Sequence, residues 1–394
     1  MLALCLGAVW VGLVLYLLSR ALRQFAAHRS SARETVSAST HLPVVSIIVP
    51  VRNEIDNIAI CLAGLKAQTG LAAGSSIIVV DDESTDGTRA VAEREATPGL
   101  SVTLAEAGTL PQTWAGKPHA CWRGALLAGG EWLCFVDADV RARPELVAVA
   151  LATAEARGID MLSLHPWQEL GSFWERVIIP AGMLIIACAK PVRMIRHWAA
   201  SEDNTNGQFL LIKRECYFKI GGHSAVRGEI CEDRALAIRI KLAGFCFRVF
   251  AAEHLGRTRM YRDFRSLWEG LGKNAAEILG SPQATLAAAG AAFIAGWTAV
   301  LLPLAAITAA LADPSAAAVS GAALVLLGSA IVIGIHIGTA LHFRIPAAFG
   351  LCFPLGYTMV GCLAWRSVLL LHNGRVTWKG RTYRLRRKPS PRTS

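Results

Sequence analysis

Apolar runs bracket the chain at both ends, and a periodic stretch of mixed polarity fills the middle. Residues 2–18 are almost wholly apolar, and Arg20, Arg23, Arg29 and Arg33 follow them. A cleaved signal peptide carries its positive charge before the apolar run, so 1–19 reads as an uncleaved membrane anchor whose following domain is cytoplasmic. Residues 20–42 read as a linker. Between 43 and about 165 the pattern alternates strand with helix. Val44–Val49, Ser76–Val80 and Trp132–Val136 are buried-strand runs, and helical spacing appears over Ile58–Gln68 and Thr85–Arg94. This alternation predicts a parallel α/β sheet covered on both faces. Residues 173–198 break the soluble pattern: an apolar run interrupted by Pro180 is followed by Lys190, Arg193, Arg196 and His197. A helix lying in the membrane interface is expected there. Residues 286–312, 317–343 and 345–371 are each long enough to cross a bilayer.

Composition agrees with membrane spans. Hydrophobic residues make up 53% of the 394 and charged residues 18%, against about 25% charged in a soluble globular chain. The net charge of +11 suggests nucleic acid until it is located. Residues 1–42 carry +3, residues 373–394 carry +8 and the central 43–285 carry −1. Positive charge thus flanks the apolar segments, as the positive-inside rule and anionic lipid favour, and no nucleic-acid partner is expected. Three full crossings after a cytoplasmic domain would put the basic tail 372–394 outside, against that rule. Two crossings with one segment re-entrant would keep it inside, and the pattern alone leaves both open. The ten cysteines include no CxxC pair, which reads as scattered core thiols.

Polar clusters follow each strand, at the edge where open α/β sheets bind ligands. Asp137-Ala138-Asp139 offers two carboxylates on one turn, able to hold a hard divalent cation together with a diphosphate. Asp81-Asp82 either bonds a ribose or base or caps the next helix, and Ser84 and Asp86 fit the capping role better. Glu232-Asp233 opens another helix; one acid there can be structural and the other a general base. Arg257 and Arg259 either neutralise a leaving diphosphate or snorkel at a membrane surface. No Gly-x-Gly-x-x-Gly or Walker signature is present.

The order Val45–Glu54, Val79–Thr88, Trp114–Lys117, Phe135–Asp139, Glu232-Asp233 resembles the family 2 glycosyltransferases with a GT-A fold. Within them it is most similar to membrane-bound bacterial enzymes associated with carotenoids and hopanoids. Glu202–Gln208, Arg257–Tyr261 and Thr377–Arg381 match that narrower group. The resemblance implies a mixed-sheet catalytic domain over 43–280, with transmembrane helices at both ends, in the inner membrane. Pro50, Glu54 and Asp82, with Asp81 nearby, would hold the nucleoside, and Lys117 would approach the donor phosphates, with Arg257 and Arg259. Asp137 and Asp139 would hold Mg²⁺ or Mn²⁺, and Asp233 would be the base beside Glu232. A nucleotide-sugar donor, UDP-linked by expectation, and a lipid acceptor follow. The Gln-x-x-Arg-Trp motif of processive synthases is absent; Arg262–Glu269 stands in its place, which favours transfer of a single sugar. A polysaccharide synthase, a polyprenyl-phosphate sugar transferase and a non-catalytic nucleotide-binding scaffold are the alternatives.

Overall fold

The computed structural model describes residues 1–32, 42–95, 101–189, 198–201, 204–229, 231–278 and 281–384. The chain forms two compact units. One comprises residues 27–169, 196–260 and 374–394, and the other residues 1–26, 170–195 and 261–373.

The first unit is built on a seven-stranded mixed sheet. Its strands are β1 (Val45–Val51), β2 (Ser76–Asp81), β3 (Ser101–Glu106), β4 (Trp132–Val136), β6 (Met161–His165), β8 (Phe209–Lys213) and β9 (Phe247–Ala251). They lie in the order β3-β2-β1-β4-β8-β6-β9. β1 pairs in parallel with β2 and β4. β8 runs antiparallel between β4 and β6. A smaller sheet joins β5 (Val140–Ala142), β10 (Gly256–Thr258) and β7 (Trp167–Gln168).

Alternate residues of the central strands feed two cores. Ile47 and Val49 pack with Leu62, Cys134, Val136 and Leu151 on one face. Ile48, Val80, Leu133 and Phe135 pack with Tyr217 and Leu236 on the other. This double burial explains why these strands read as continuous β-branched and aromatic runs. The parallel expectation holds for β1, β2 and β4. Residues 209–213 form the antiparallel strand that periodicity did not single out. All ten cysteines are free thiols.

The second unit is helical. Helices at 2–31, 282–312, 316–342 and 347–373 are long and apolar enough to cross a membrane. Small residues allow close approach between them. A Cβ at Gly321 would fall 2.6 Å from the Ala3 backbone. Gly328 faces Trp10, and Phe25 meets His342 edge-on at 4.2 Å. The first helix and Ala316–His342 therefore run side by side in the same direction.

Several boundaries differ from expectation. The first helix is continuous over Leu2–Ala32, so the linker expected over 20–42 begins as helix; 33–41 lie outside the described residues. Leu170–Ile195 and the chain from Tyr261 group with the helical unit, so 43–280 is not one compact body. The segment expected at the membrane interface is the helix Phe173–Ala189 with Pro180 inside it; its expected basic residues at 190–197 are not described. The segment 345–371 opens with a 3-10 turn, Ala347–Cys352, before Phe353–Asn373. Part of the tail 372–394 is a hairpin of β11 (Arg375–Trp378) and β12 (Arg381–Arg384).

Candidate active site

The carboxyl ends of β1, β2 and β4 deliver the site. Register aligns Val51 with Asp81, so the turn after β1 meets the turn after β2. Asn53 adopts a left-handed conformation (φ 50°), which asparagine tolerates. Its Oδ1 accepts the Thr85 N–H at 2.9 Å, and its own N–H donates to Ser84 Oγ at 3.1 Å. Asp86 accepts the N–H groups of Thr88 at 3.0 Å and Ile55 at 3.1 Å. Burial opposes its charge, yet the Thr88 hydroxyl and these N–H groups hold its carboxyl below the ordinary value. Ser84 and Asp86 thus knit the two turns together, as their capping pattern suggested. Asp81 accepts the Ser84 N–H at 3.3 Å.

Asp82 differs from Asp81. It is 3% exposed, and its Oδ2 accepts Arg381 Nη1 at 2.6 Å. Its Oδ1 is buried without a hydrogen-bond partner among the described residues. Glu54 pairs with Lys379 and also accepts Asn57 Nδ2 at 2.8 Å. Pro50 sits on β1 opposite Val80. The residues expected around a nucleoside are therefore gathered on adjoining turns.

Lys117 enters on the first turn of the helix Gly116–Leu127, which packs on β1 and β2. Its Nζ lies 2.7 Å from Asp137 Oδ1 and 3.1 Å from Glu232 Oε1. Burial disfavours this ammonium, but the Asp137 and Glu232 carboxylates more than offset that and hold its pKa well above the lysine value. Burial likewise opposes the Glu232 charge, and Lys117 overrides it, leaving that carboxyl below its usual range. Gly207 separates the ammonium from the base candidate: a Cβ there would lie 3.2 Å from Lys117 Nζ and 3.3 Å from Asp233 Oδ2. Asp233 is pushed up to about 6, first by burial and then by the Glu232 charge.

Asp139 is pushed up to about 7, by burial first and then by Asp137 and Glu54, against Lys117 and a hydrogen bond from Thr258. Its Oδ1 is another buried atom with no partner among the described residues. No group of three His, Cys, Asp or Glu side chains among those residues converges on one point. Two carboxylates, one carrying an unsatisfied oxygen, fit a cation whose remaining ligands come from a diphosphate, the usual way Mg²⁺ is held in nucleotide enzymes.

Arg257 behaves differently from expectation. It pairs with Glu169 at 3.4 Å and is not brought to this cluster. β-strand alternation explains it: Thr258 turns toward Asp139, so its neighbour Arg257 turns away. Arg259 follows on the same segment and is half-buried. Sequence reasoning missed the floor of the site. Because β8 is antiparallel to β4, it begins where β4 ends. Gln208 O therefore accepts the Asp137 N–H at 3.0 Å. Gln208 in turn bonds Thr258 at 3.1 Å, Asn206 at 2.9 Å and Gln168 at 2.9 Å. The segment Glu202–Gln208 matches a family motif, but nothing in its spacing gives it this place; Glu202 and Asp203 are not described.

The sequence profile described as "Glycosyl transferase family 2" matches residues 46–233. Two 4,4'-diaponeurosporenoate glycosyltransferases of Staphylococcus aureus are similar. That of strain MRSA252 is 28% identical over 66% of this chain and 68% of its own length. That of strain N315 is 27% identical over 63% and 64%, so about a third of each relative is unmatched. Among solved structures, the mannosyltransferase PcManGT from Pyrobaculum calidifontis, in complex with GDP-Man and Mn2+, superimposes with a TM-score of 0.53. It covers 92% of this chain and 99% of its own at 21% identity, a likeness of fold.

Proposed function

We propose that this chain, of which residues 46–233 match the family 2 glycosyltransferase profile, is such an enzyme of GT-A fold and moves one sugar from a nucleotide-sugar donor to a membrane lipid, with inversion and a divalent cation. One observation carries this reading: Lys117 is clamped between Asp137 and Glu232 while Asp139 Oδ1, on the same turn, is buried and unsatisfied. That arrangement suits a dianionic diphosphate arriving with its cation. Asp137 and Asp139 would hold Mg²⁺ or Mn²⁺, which would supply Lewis-acid stabilisation of the leaving diphosphate. Lys117 adds a fixed positive charge beside it. Asp233 takes the proton of the acceptor hydroxyl as the new bond forms at the anomeric carbon. The relatives named for diaponeurosporenoate and the apolar helices support a lipid acceptor bearing a hydroxyl or carboxyl.

The test is a donor screen on detergent-solubilised protein. UDP- and GDP-sugars are offered with Mn²⁺, and nucleotide release is scored with and without membrane lipid extract. Release from one donor, raised by lipid and abolished by EDTA, is the expected result. No release from any donor in either condition would return the protein to the class of nucleotide-binding scaffolds.

The same reading gives a membrane topology. Segments 170–195 and 261–373 both leave and re-enter the sheet-bearing unit along the chain, so each crosses an even number of times. The helix Phe173–Ala189 then does not span. Since Ala316–His342 runs alongside the first helix in the same direction, residue 342 emerges on the side of residue 27. Pro282–Ala312 and Ala316–His342 are therefore the crossing pair, and 347–373 is re-entrant or lies in the plane, which keeps the basic tail beside the catalytic domain. Fusions check this. Green fluorescent protein after Ser394 is expected to fluoresce in the cytoplasm, and alkaline phosphatase inserted near Pro314 to be active outside. An active phosphatase at the C-terminus would refute the arrangement.

A further inference from the structure

The hairpin at 375–384 reaches the acids expected to hold the nucleoside, although 299 residues separate Arg381 from Asp82 and 325 separate Lys379 from Glu54. Lys379 and Gly380 both have positive φ, 45° and 77°, between the paired residues Trp378 and Arg381. This is the geometry of a two-residue type I′ turn. A lysine is rarely held there without compensation. Here its Nζ ion-pairs with Glu54 and donates to the Arg52 carbonyl at 3.0 Å, while Arg52 Nε donates back to the Lys379 carbonyl at 3.2 Å. Arg381 forks between Asp82 and Glu83 with its side chain 14% exposed. Arg52 completes the set by donating to the carbonyls of Asp82 and Glu83.

Two features mark the turn as part of a ligand site and not only as a surface clasp. First, Arg381 takes one oxygen of Asp82 and leaves the other, Oδ1, buried and unpartnered, ready to accept an N–H or O–H from a ligand. His119 Nδ1 is a second buried orphan; its ring sits within the electrostatic reach of Asp82, Glu83, Arg123 and Arg381. Second, Glu54, Asp82 and Glu83 alone would repel an incoming diphosphate. Lys379, Arg381 and Arg52 match them charge for charge, so an anion can approach.

We propose that the turn Lys379–Arg381 completes the donor pocket: Arg381 and Lys379 are positioning residues that set Asp82 and Glu54 to receive a nucleoside diphosphate. The proposal rests on the donor-site reading above. Calorimetric titration of UDP and GDP with Mn²⁺ into the full-length detergent-solubilised protein tests it. Arg381→Ala is expected to weaken nucleotide binding roughly 10- to 100-fold, the effect of stripping a buried carboxylate of its charged partner. It is also expected to raise donor KM with little change in kcat. Arg381→Lys should recover part of the affinity, and Arg381→Ala should add nothing in an Asp82→Ala background. A thermal midpoint near that of the wild type confirms folding, and Arg381→Lys carries the test if Arg381→Ala does not fold. Unchanged binding in Arg381→Ala would overturn the proposal. Tighter binding would also overturn it, since the turn would then be a plug that the donor displaces. Full binding in both Asp82→Ala and Asp139→Ala would instead refute the donor site itself.

Discussion

Asp233→Asn is expected to lower kcat roughly 10²- to 10⁴-fold on a hydroxyl acceptor, the range for loss of a general base, with donor KM nearly unchanged. Asparagine keeps the shape and can still accept the Arg234 N–H, which Asp233 Oδ1 takes at 2.8 Å, so the helix start survives. The wild type has a matching pH signature. Burial, then the Glu232 charge, raises the Asp233 pKa to about 6, and a base works only when ionised. The kcat/KM of the wild type should climb as pH rises through about 6 and level off above it, and the variant should lose that limb. The stability linkage has the opposite sign. A carboxyl raised above its unfolded value contributes stability that is complete at pH below about 4 and lost as pH rises through about 6. The acceptor's chemistry is readable in the same experiment. A carboxyl acceptor is already ionised at neutral pH and needs no base. A loss under about tenfold would identify a carboxylate acceptor, and a loss under tenfold on a proven hydroxyl acceptor would remove Asp233 from the role of base.

Asp139→Asn is expected to cost roughly 10²- to 10³-fold in kcat/KM, equivalent to the several kcal/mol that a bound cation supplies to a leaving oxyanion. Metal ligands must be ionised to bind, and the Asp139 carboxyl of the metal-free protein is raised to about 7 by burial, then by Asp137 and Glu54. The apparent Mn²⁺ affinity of the wild type should therefore increase with pH through about 7 and level off above. The same elevation means that the metal-free wild type loses stability as pH rises through that value, because an ionised carboxylate is then left desolvated beside two others. Asparagine mimics the protonated form. Metal-free Asp139→Asn should accordingly melt above the wild type at pH 8 and show no such gain at pH 4. Added Mn²⁺ should raise the wild-type midpoint at pH 8 and leave the variant's unmoved. Equal Mn²⁺ responses in the two proteins would take Asp139 out of the metal site.

How far the sequence could be read depended on how local the cause was. Strands β1, β2 and β4 are buried on both faces, so their hydrophobic runs declared them, and sheet topology then put the following acids on one edge. The capping roles of Ser84 and Asp86 were legible because they arise within a few residues. The helix Leu2–Ala32 overran its expected boundary because helix continues through a polar stretch that hydropathy scores as linker. The boundary between the two units along the chain was invisible for a related reason: the helices Phe173–Ala189 and Phe264–Ile278 are short or amphipathic, and only their packing assigns them to the helical unit.

Arg257 and Lys379 give the sharpest contrast. Arg257 lay in a suggestive motif, yet strand alternation turns it to Glu169 and presents Thr258 to Asp139. Lys379 and Arg381 lay in a basic tail that charge alone assigns to a lipid surface, yet a type I′ turn seats them on Glu54 and Asp82. Asn206 and Gln208 enter only because an antiparallel strand starts where a parallel one stops. What this chain determined by itself was the set of acids, the strands that carry them and the segments apolar enough for a membrane, since each follows from burial and spacing along the backbone. Which cation meets which carboxylate, and which carboxylate oxygens stay open, was decided by tertiary structure, because ion pairs form across space between turns that sequence separation does not constrain.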